Sequence, residues 1–118
     1  MSIERFPETL AMVGLAAGAD IPTWAESASI FSITATATET SLICARRSVP
    51  KKAPQHGPLT AFLIGEPDLS LLAALDGIDA KVISTHGALW VLVPVDQADA
   101  AQEAWRRGGQ DVVPAVPA

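Results

Sequence analysis

Few side chains in this sequence are equipped for covalent chemistry. Cys44 is the only cysteine, and His56 and His86 are the only imidazoles. A reactive thiolate needs a base or a helix N-terminus beside it, and neither histidine lies near Cys44 in the chain. Cys44 ends the apolar run Leu42-Ile43-Cys44 and reads as a small buried hydrophobe. One cysteine and two isolated histidines lack the paired spacing of a zinc site, so neither metal nor cofactor is expected. A lone thiol cannot close an internal disulfide, and nothing points to an oxidising compartment. Nucleophile–base pairs, carboxylates at helical spacing and phosphate-cradling loops are all missing from the pattern. Gly108-Gly109 fits a helix stop better than a phosphate cradle. Trp24, Trp90 and Trp105 could stack on a ligand, but each sits in an amphipathic segment and reads as core or interface packing. The expectation is a protein that is not an enzyme.

Short apolar segments separated by turn residues make up the scaffold that would position any site. Thr9 to Leu15 reads as a buried strand. Asp20 caps a short helix in which Pro22 suits the first turn and Ile21, Trp24 and Ala25 share a face. Ser29 to Ala35 and Glu39 to Ala45 read as a hairpin. Residues 46–58, RRSVPKKAPQHGP, are rich in proline and basic residues and read as an exposed connector, with His56 as a loop residue. The order then recurs. Leu59 to Ile64 reads as a strand, Asp68 to Leu75 as a two-turn helix ended by Gly77, and Ala80 to Thr85 and Ala88 to Val93 as a second hairpin. Asp96 to Arg107 is the strongest helix: Asp96 and Asp99 lie in its first turn, Arg106 and Arg107 in its last. Gln110 to Val113 closes the series. Leu10–Cys44 thus lays over Thr60–Pro94 at an offset of 50, a repeat of pattern rather than of identity. The second copy spells βαββαβ, the ferredoxin-like order.

Composition limits the partners. The 118 residues are 49% hydrophobic and 18% charged, too apolar for an intrinsically disordered chain. Thirteen acidic against eight basic residues leave a net charge of −5, so nucleic acid is not an expected partner. The apolar stretch Thr9–Ala19 is far shorter than the roughly 20 residues of a membrane span. Its flank MSIERFPE carries two glutamates and one arginine, unlike the positive start of a secretion signal. The expectation is a cytoplasmic protein with no membrane partner.

Three strings in order resemble a known family. In IPTWAESASIFSITATATETSLIC, Pro22 and Trp24, then Phe31-Ser32-Ile33-Thr34, then Glu39, Ser41 and Leu42-Ile43-Cys44 fall on its motifs without a gap. Val49-Pro50, Gly57, Gly65 and Asp68-Leu69-Ser70-Leu71 follow, and then GIDAKVISTHGALWVLVP. Together they resemble small proteins built from two ACT-like units, a family that includes arginine sensors of animal cells. The match runs from Pro22 to Val113. The resemblance implies an α+β fold: two ferredoxin-like (βαββαβ) units in tandem, with an antiparallel sheet and helices on one face. Residues 1–57 would form a first, incomplete unit with the proline-rich connector 46–58, and residues 58–118 the second.

The resemblance also implies an amino-acid site between two units. Residue by residue it falls on Gly65, Asp68 and Ser70 after a unit's first strand, and on Ser84, Thr85 and His86 in the hairpin. The chemistry is compatible: a helix start offers free N–H groups to a carboxylate, and Glu66 and Asp68 could pair with an ammonium. Asp68 is equally read as a simple N-cap, and Ser84 and Thr85 as ordinary strand residues. Two departures stand out. The family's tryptophan after Gly57 is Pro58 here, and its Tyr-Asp-Thr-Asp is His86-Gly87-Ala88-Leu89, which removes the acidic partners of a cationic side chain. The helix after Asp68 is also about ten residues shorter than the family's, so it covers less of the sheet. The expected function is regulatory amino-acid binding by a homodimer. The alternative is an interaction module that keeps the fold without a ligand.

Overall fold

The computed structural model describes residues 2–27, 30–65 and 68–115. Among them run eight strands: β1 (Ser2–Arg5), β2 (Leu10–Leu15), β3 (Ser32–Ala35), β4 (Thr40–Ala45), β5 (Gln55–Ile64), β6 (Lys81–Ser84), β7 (Leu89–Pro94) and β8 (Asp111–Pro114). One α-helix, α1 (Ala98–Arg107), is joined by 3-10 turns at Thr23–Ser27, Arg46–Ser48, Leu69–Leu75 and Val95–Gln97. The chain divides into two units, Glu8–Leu59 and Met1–Pro7 with Thr60–Ala118. The first seven residues, read with the first unit in the sequence, therefore cluster with the second.

In the unit Glu8–Leu59, β4 runs antiparallel to β2, from Leu10↔Ala45 to Leu15↔Thr40, and β3 pairs antiparallel with β4. The first half of β5 covers the other edge of β2, with Leu10 opposite Leu59 and Met12 opposite His56. The register shifts between those pairs. Gly57 sits at this irregularity with φ +151°, and a Cβ there would come within 3.0 Å of the Leu10 carbonyl oxygen. Alternation explains the core: Ala11 and Val13 of β2 and Leu42 and Cys44 of β4 point inward, joined by Ala25 and Val49. Trp24, Ile21 and Phe31 pack against them, so Trp24 is a packing residue. The turn from β3 to β4 is closed by Thr36, whose amide donates to the Glu39 carbonyl at 2.8 Å and whose hydroxyl accepts from the Glu39 amide at 3.1 Å.

In the unit formed by Met1–Pro7 and Thr60–Ala118, β1 lies between two strands. It pairs antiparallel with β5 (Ile3↔Ile64, Arg5↔Phe62) and parallel with β8 (Ser2↔Asp111, Arg5↔Pro114). β7 pairs with β5 and with β6, so the strand order is β8-β1-β5-β7-β6. Ile3, Phe62, Ile64, Leu89, Val91, Val93 and Val112 present one face to Ala98, Ala101 and Trp105 of α1 and to Leu75. The Phe62 and Trp105 rings meet edge-on at 5.0 Å. At the end of α1 the Gly108 amide donates to the Trp105 carbonyl at 3.1 Å, and Gly109 takes φ +91°. That is the helix stop read from Gly108-Gly109.

Four expectations are corrected. β1 was read only as a polar flank. His56 stands in β5 rather than in a loop, because the pairing of β5 reaches back through Gln55. The segment after Asp68 is a 3-10 turn of seven residues, not an α-helix, and Asp96 lies within another 3-10 turn, Val95–Gln97, before α1 begins at Ala98.

Candidate functional site

The residues expected to bind a ligand lie on two exposed segments of the second unit. Gly65 directly follows β5, and a Cβ at this position would meet nothing within 4 Å, so no close backbone approach requires glycine there. Glu66 lies outside the described residues. Asp68 takes an extended conformation (φ −128°, ψ 95°) and caps the turn Leu69–Leu75. Its Oδ1 accepts from the Ser70 amide at 3.0 Å and from the Ser70 hydroxyl at 2.5 Å. The capping role is therefore realised, and the Ser70 N–H at the start of the turn is already occupied. A 3-10 turn this short lacks the aligned dipole of an α-helix, so the helix-start cradle expected for a carboxylate is not built.

On the other segment, Ser84 ends β6 opposite Leu89. The amide and hydroxyl of Thr85 both reach the Ala88 carbonyl, at 2.9 and 3.2 Å. His86 stands exposed in the same turn. β6 pairs with β7 and β7 with β5, so the hairpin and the strand that leads into Gly65 belong to one paired set. What the geometry offers a ligand here is exposed and polar: the Asp68 carboxylate, the Ser84 and Thr85 hydroxyls and the His86 imidazole.

Cys44 is fully buried in β4 opposite Ala11, and burial pushes its thiol above the ordinary 9.0. A protonated, enclosed thiol is a packing group rather than a nucleophile. Among the described residues no three His, Cys, Asp or Glu side chains come together as a metal site. No helix among them is long and apolar enough to cross a membrane.

Two clefts went unread in the sequence. In the unit Glu8–Leu59, a cleft of about 400 Å³ is lined by Met12, Gly14, Glu39, Ser41, Pro54, Gln55 and His56. In the other unit, a cleft of about 320 Å³ has Arg5, Gln102 and Arg106 on its wall. The lining of each comes from segments far apart in the chain. Arg5 carried no sequence signal because its strand, β1, was not recognised as one. Arg106 was read as a favourable charge at the end of a helix, which it also is.

A protein-family model described as an N-terminal domain matches residues 8–52, inside the unit Glu8–Leu59. No curated protein matches the chain. Among solved structures, the chain is similar to a crystal structure of a protein from Agrobacterium tumefaciens, with TM-score 0.89 and 22% identity over 98% of this chain and 94% of that one. It is similar to a protein of unknown function from Vibrio cholerae, described as a possible transport protein, with TM-score 0.74 and 13% identity over 92% and 90%. It is also similar to the regulatory subunit of aspartate kinase from Thermus flavus, with TM-score 0.62 and 11% identity over 93% and 98%. At these identities the shared property is the fold.

Proposed function

We propose that this chain is a regulatory small-molecule-binding protein made of two ACT-like units, and that its ligand is an amino acid. One observation carries the reading: the likeness to the aspartate kinase regulatory subunit spans nearly the whole of both chains. The element order supports it. A strand, a 3-10 turn and a hairpin (β2, Thr23–Ser27, β3, β4) recur as β5, Leu69–Leu75, β6 and β7, followed by α1 and β8. The proposed site uses Gly65, Glu66, Asp68, Ser70, Ser84, Thr85 and His86. Asp68 Oδ2, which has no partner among the described residues, takes the ammonium, and the Ser84 hydroxyl and a His86 ring N–H take the carboxylate, with Thr85 holding the turn through Ala88. A second copy is the partner proposed: β3 and β6 each pair on one side only among the described residues.

A thermal-shift screen against the twenty amino acids tests the reading. A ligand that binds only the native state at 100 times its Kd adds about 2.7 kcal/mol, an easily measured rise in Tm. A second reading is favoured by the way Asp68 and Ser70, and Thr85 and Ala88, satisfy one another. On that reading the protein is an interaction module that keeps the fold without a ligand. Silence across the panel, together with a dimer or a captured partner chain, is its signature.

A further inference from the structure

The arginine-lined cleft lies outside the amino-acid site proposed above. Arg5, Phe6 and Pro7 from the end of β1, Gln102 and Arg106 from α1, and β8 with its following residue Ala115 enclose it. Arg5 is held on three sides. Its Nη1 donates to Asp99 Oδ1 and Gln102 Oε1, each at 2.9 Å, and its guanidinium lies 5.8 Å from the centre of the Phe62 ring. Both protons of Nη1 are thereby used, and the side-on edge formed by Nε and Nη2 has no partner among the described residues. Arg106 spends one Nη2 proton on the Val112 carbonyl at 3.0 Å, which ties it to β8, and its other N–H groups have no hydrogen-bond partner among the described residues.

Two positioned guanidinium groups beside apolar walls are built for an oxyanion carried on an apolar body. Charge selects which oxyanion. Arg5 and Arg106 carry two positive charges and the Asp99 ion pair removes one, so the cleft neutralises a monoanion better than a phosphate dianion. No residue lining the cleft is acidic, so nothing there pairs with the ammonium of an amino acid. The volume lies at the small end of the roughly 300–1,000 Å³ range of ligand pockets. We propose that this cleft binds a short-chain monocarboxylate lacking an amino group, with the carboxylate on Arg5 and Arg106 and the chain against Pro114, which stands opposite Arg5 on the same face of the sheet.

Amide NMR titrations of the full chain test this, with butyrate, 2-oxobutyrate, 2-aminobutyrate, butyramide and inorganic phosphate as probes. Butyrate and 2-oxobutyrate are expected to shift Arg106, Val112, Val113 and Ala115, with the other three at least about tenfold weaker. Arg106→Gln weakens butyrate by at least about tenfold. Because Arg106 also braces β8, Pro114→Glu is the second variant: it sets a negative charge at an exposed lining position opposite Arg5 and produces the same loss. Asp68→Asn leaves butyrate binding unchanged, which separates this site from the amino-acid site. The proposal is overturned if butyrate causes no shifts, if butyramide or 2-aminobutyrate binds as well, if phosphate binds better, or if Pro114→Glu changes nothing.

Discussion

The indole Nε1 of Trp105 donates to the main-chain carbonyl of Leu71 at 3.0 Å, tying α1 to the 3-10 turn Leu69–Leu75. Leu69 at the start of the turn is 67% exposed, while Leu75 is in the core and Leu71 and Leu72 pack against it. The bond from Trp105 adds a directional tie to that packing. Trp105→Phe keeps the ring against Phe62 but leaves the carbonyl without its donor, and should cost about 1–2 kcal/mol. Trp105→Ala removes the packing as well and should cost about 3–5 kcal/mol. Urea unfolding measures both. Equal losses would mean that the packing adds nothing beyond the hydrogen bond, and no loss in Trp105→Phe would mean that the hydrogen bond adds nothing.

Asp68 has two separable roles. As a cap it accepts from Ser70, and Asp68→Ala should lower stability by about 1 kcal/mol. Asp68→Asn keeps the capping oxygen and removes the charge, so stability is retained while the proposed ammonium contact is lost. Thermal unfolding of the two variants, with and without an amino acid that stabilises the parent, separates the roles. Loss of the ligand shift in Asp68→Ala alone would make the capped turn, not the charge, the binding feature.

Gly57 is expected to resist substitution. Its φ of +151° lies where L side chains are rarely found, and an added Cβ would press on the Leu10 carbonyl at 3.0 Å. Gly57→Ala should destabilise the chain by about 1–3 kcal/mol. Gly65→Ala, where a Cβ meets nothing within 4 Å, serves as the control. Similar chemical-denaturation midpoints for the two would contradict the close approach of β5 to β2.

Cys44 gives the chain a pH dependence of known sign. Burial raises its folded-state value above 9.0, so the folded chain keeps the proton after the unfolded chain has released it. The contribution is fully present below pH 9 and is lost as pH rises through the folded value. Cys44→Ala should therefore flatten the fall in stability above pH 9 relative to the parent. The native thiol should resist a disulfide reagent until the chain unfolds; rapid labelling of the folded protein would contradict its burial.

The elements with strong local periodicity are legible in the sequence, while the type of the short turn Leu69–Leu75 and the start of α1 are not. β2, β4, β7 and α1 announce themselves because alternating or helical apolar spacing is a property of neighbouring residues: Ala11 with Val13, Leu42 with Cys44, Ala98 with Ala101 and Trp105. β1 does not, because in Ser-Ile-Glu-Arg only Ile3 is apolar, and its place is set by strands some sixty and more than a hundred residues away. Gln55-His56-Gly57-Pro58 likewise looks like a connector, since glycine and proline ordinarily break strands, and only its partner β2 makes it one. The candidate site was half legible. Asp68 and Ser70 are brought together as a cap, and Ser84, Thr85 and His86 gather at one hairpin. The Arg5–Arg106 cleft depends on β1 and so could not be found from spacing.

The central claim is that this fold binds an amino acid at Asp68 and the Ser84–His86 hairpin. The most direct measurement is the thermal-shift panel of twenty amino acids on the parent and on Asp68→Asn. The account predicts a rise in Tm with at least one amino acid, absent in the variant. No shift across the panel, or a shift that survives Asp68→Asn unchanged, would contradict it.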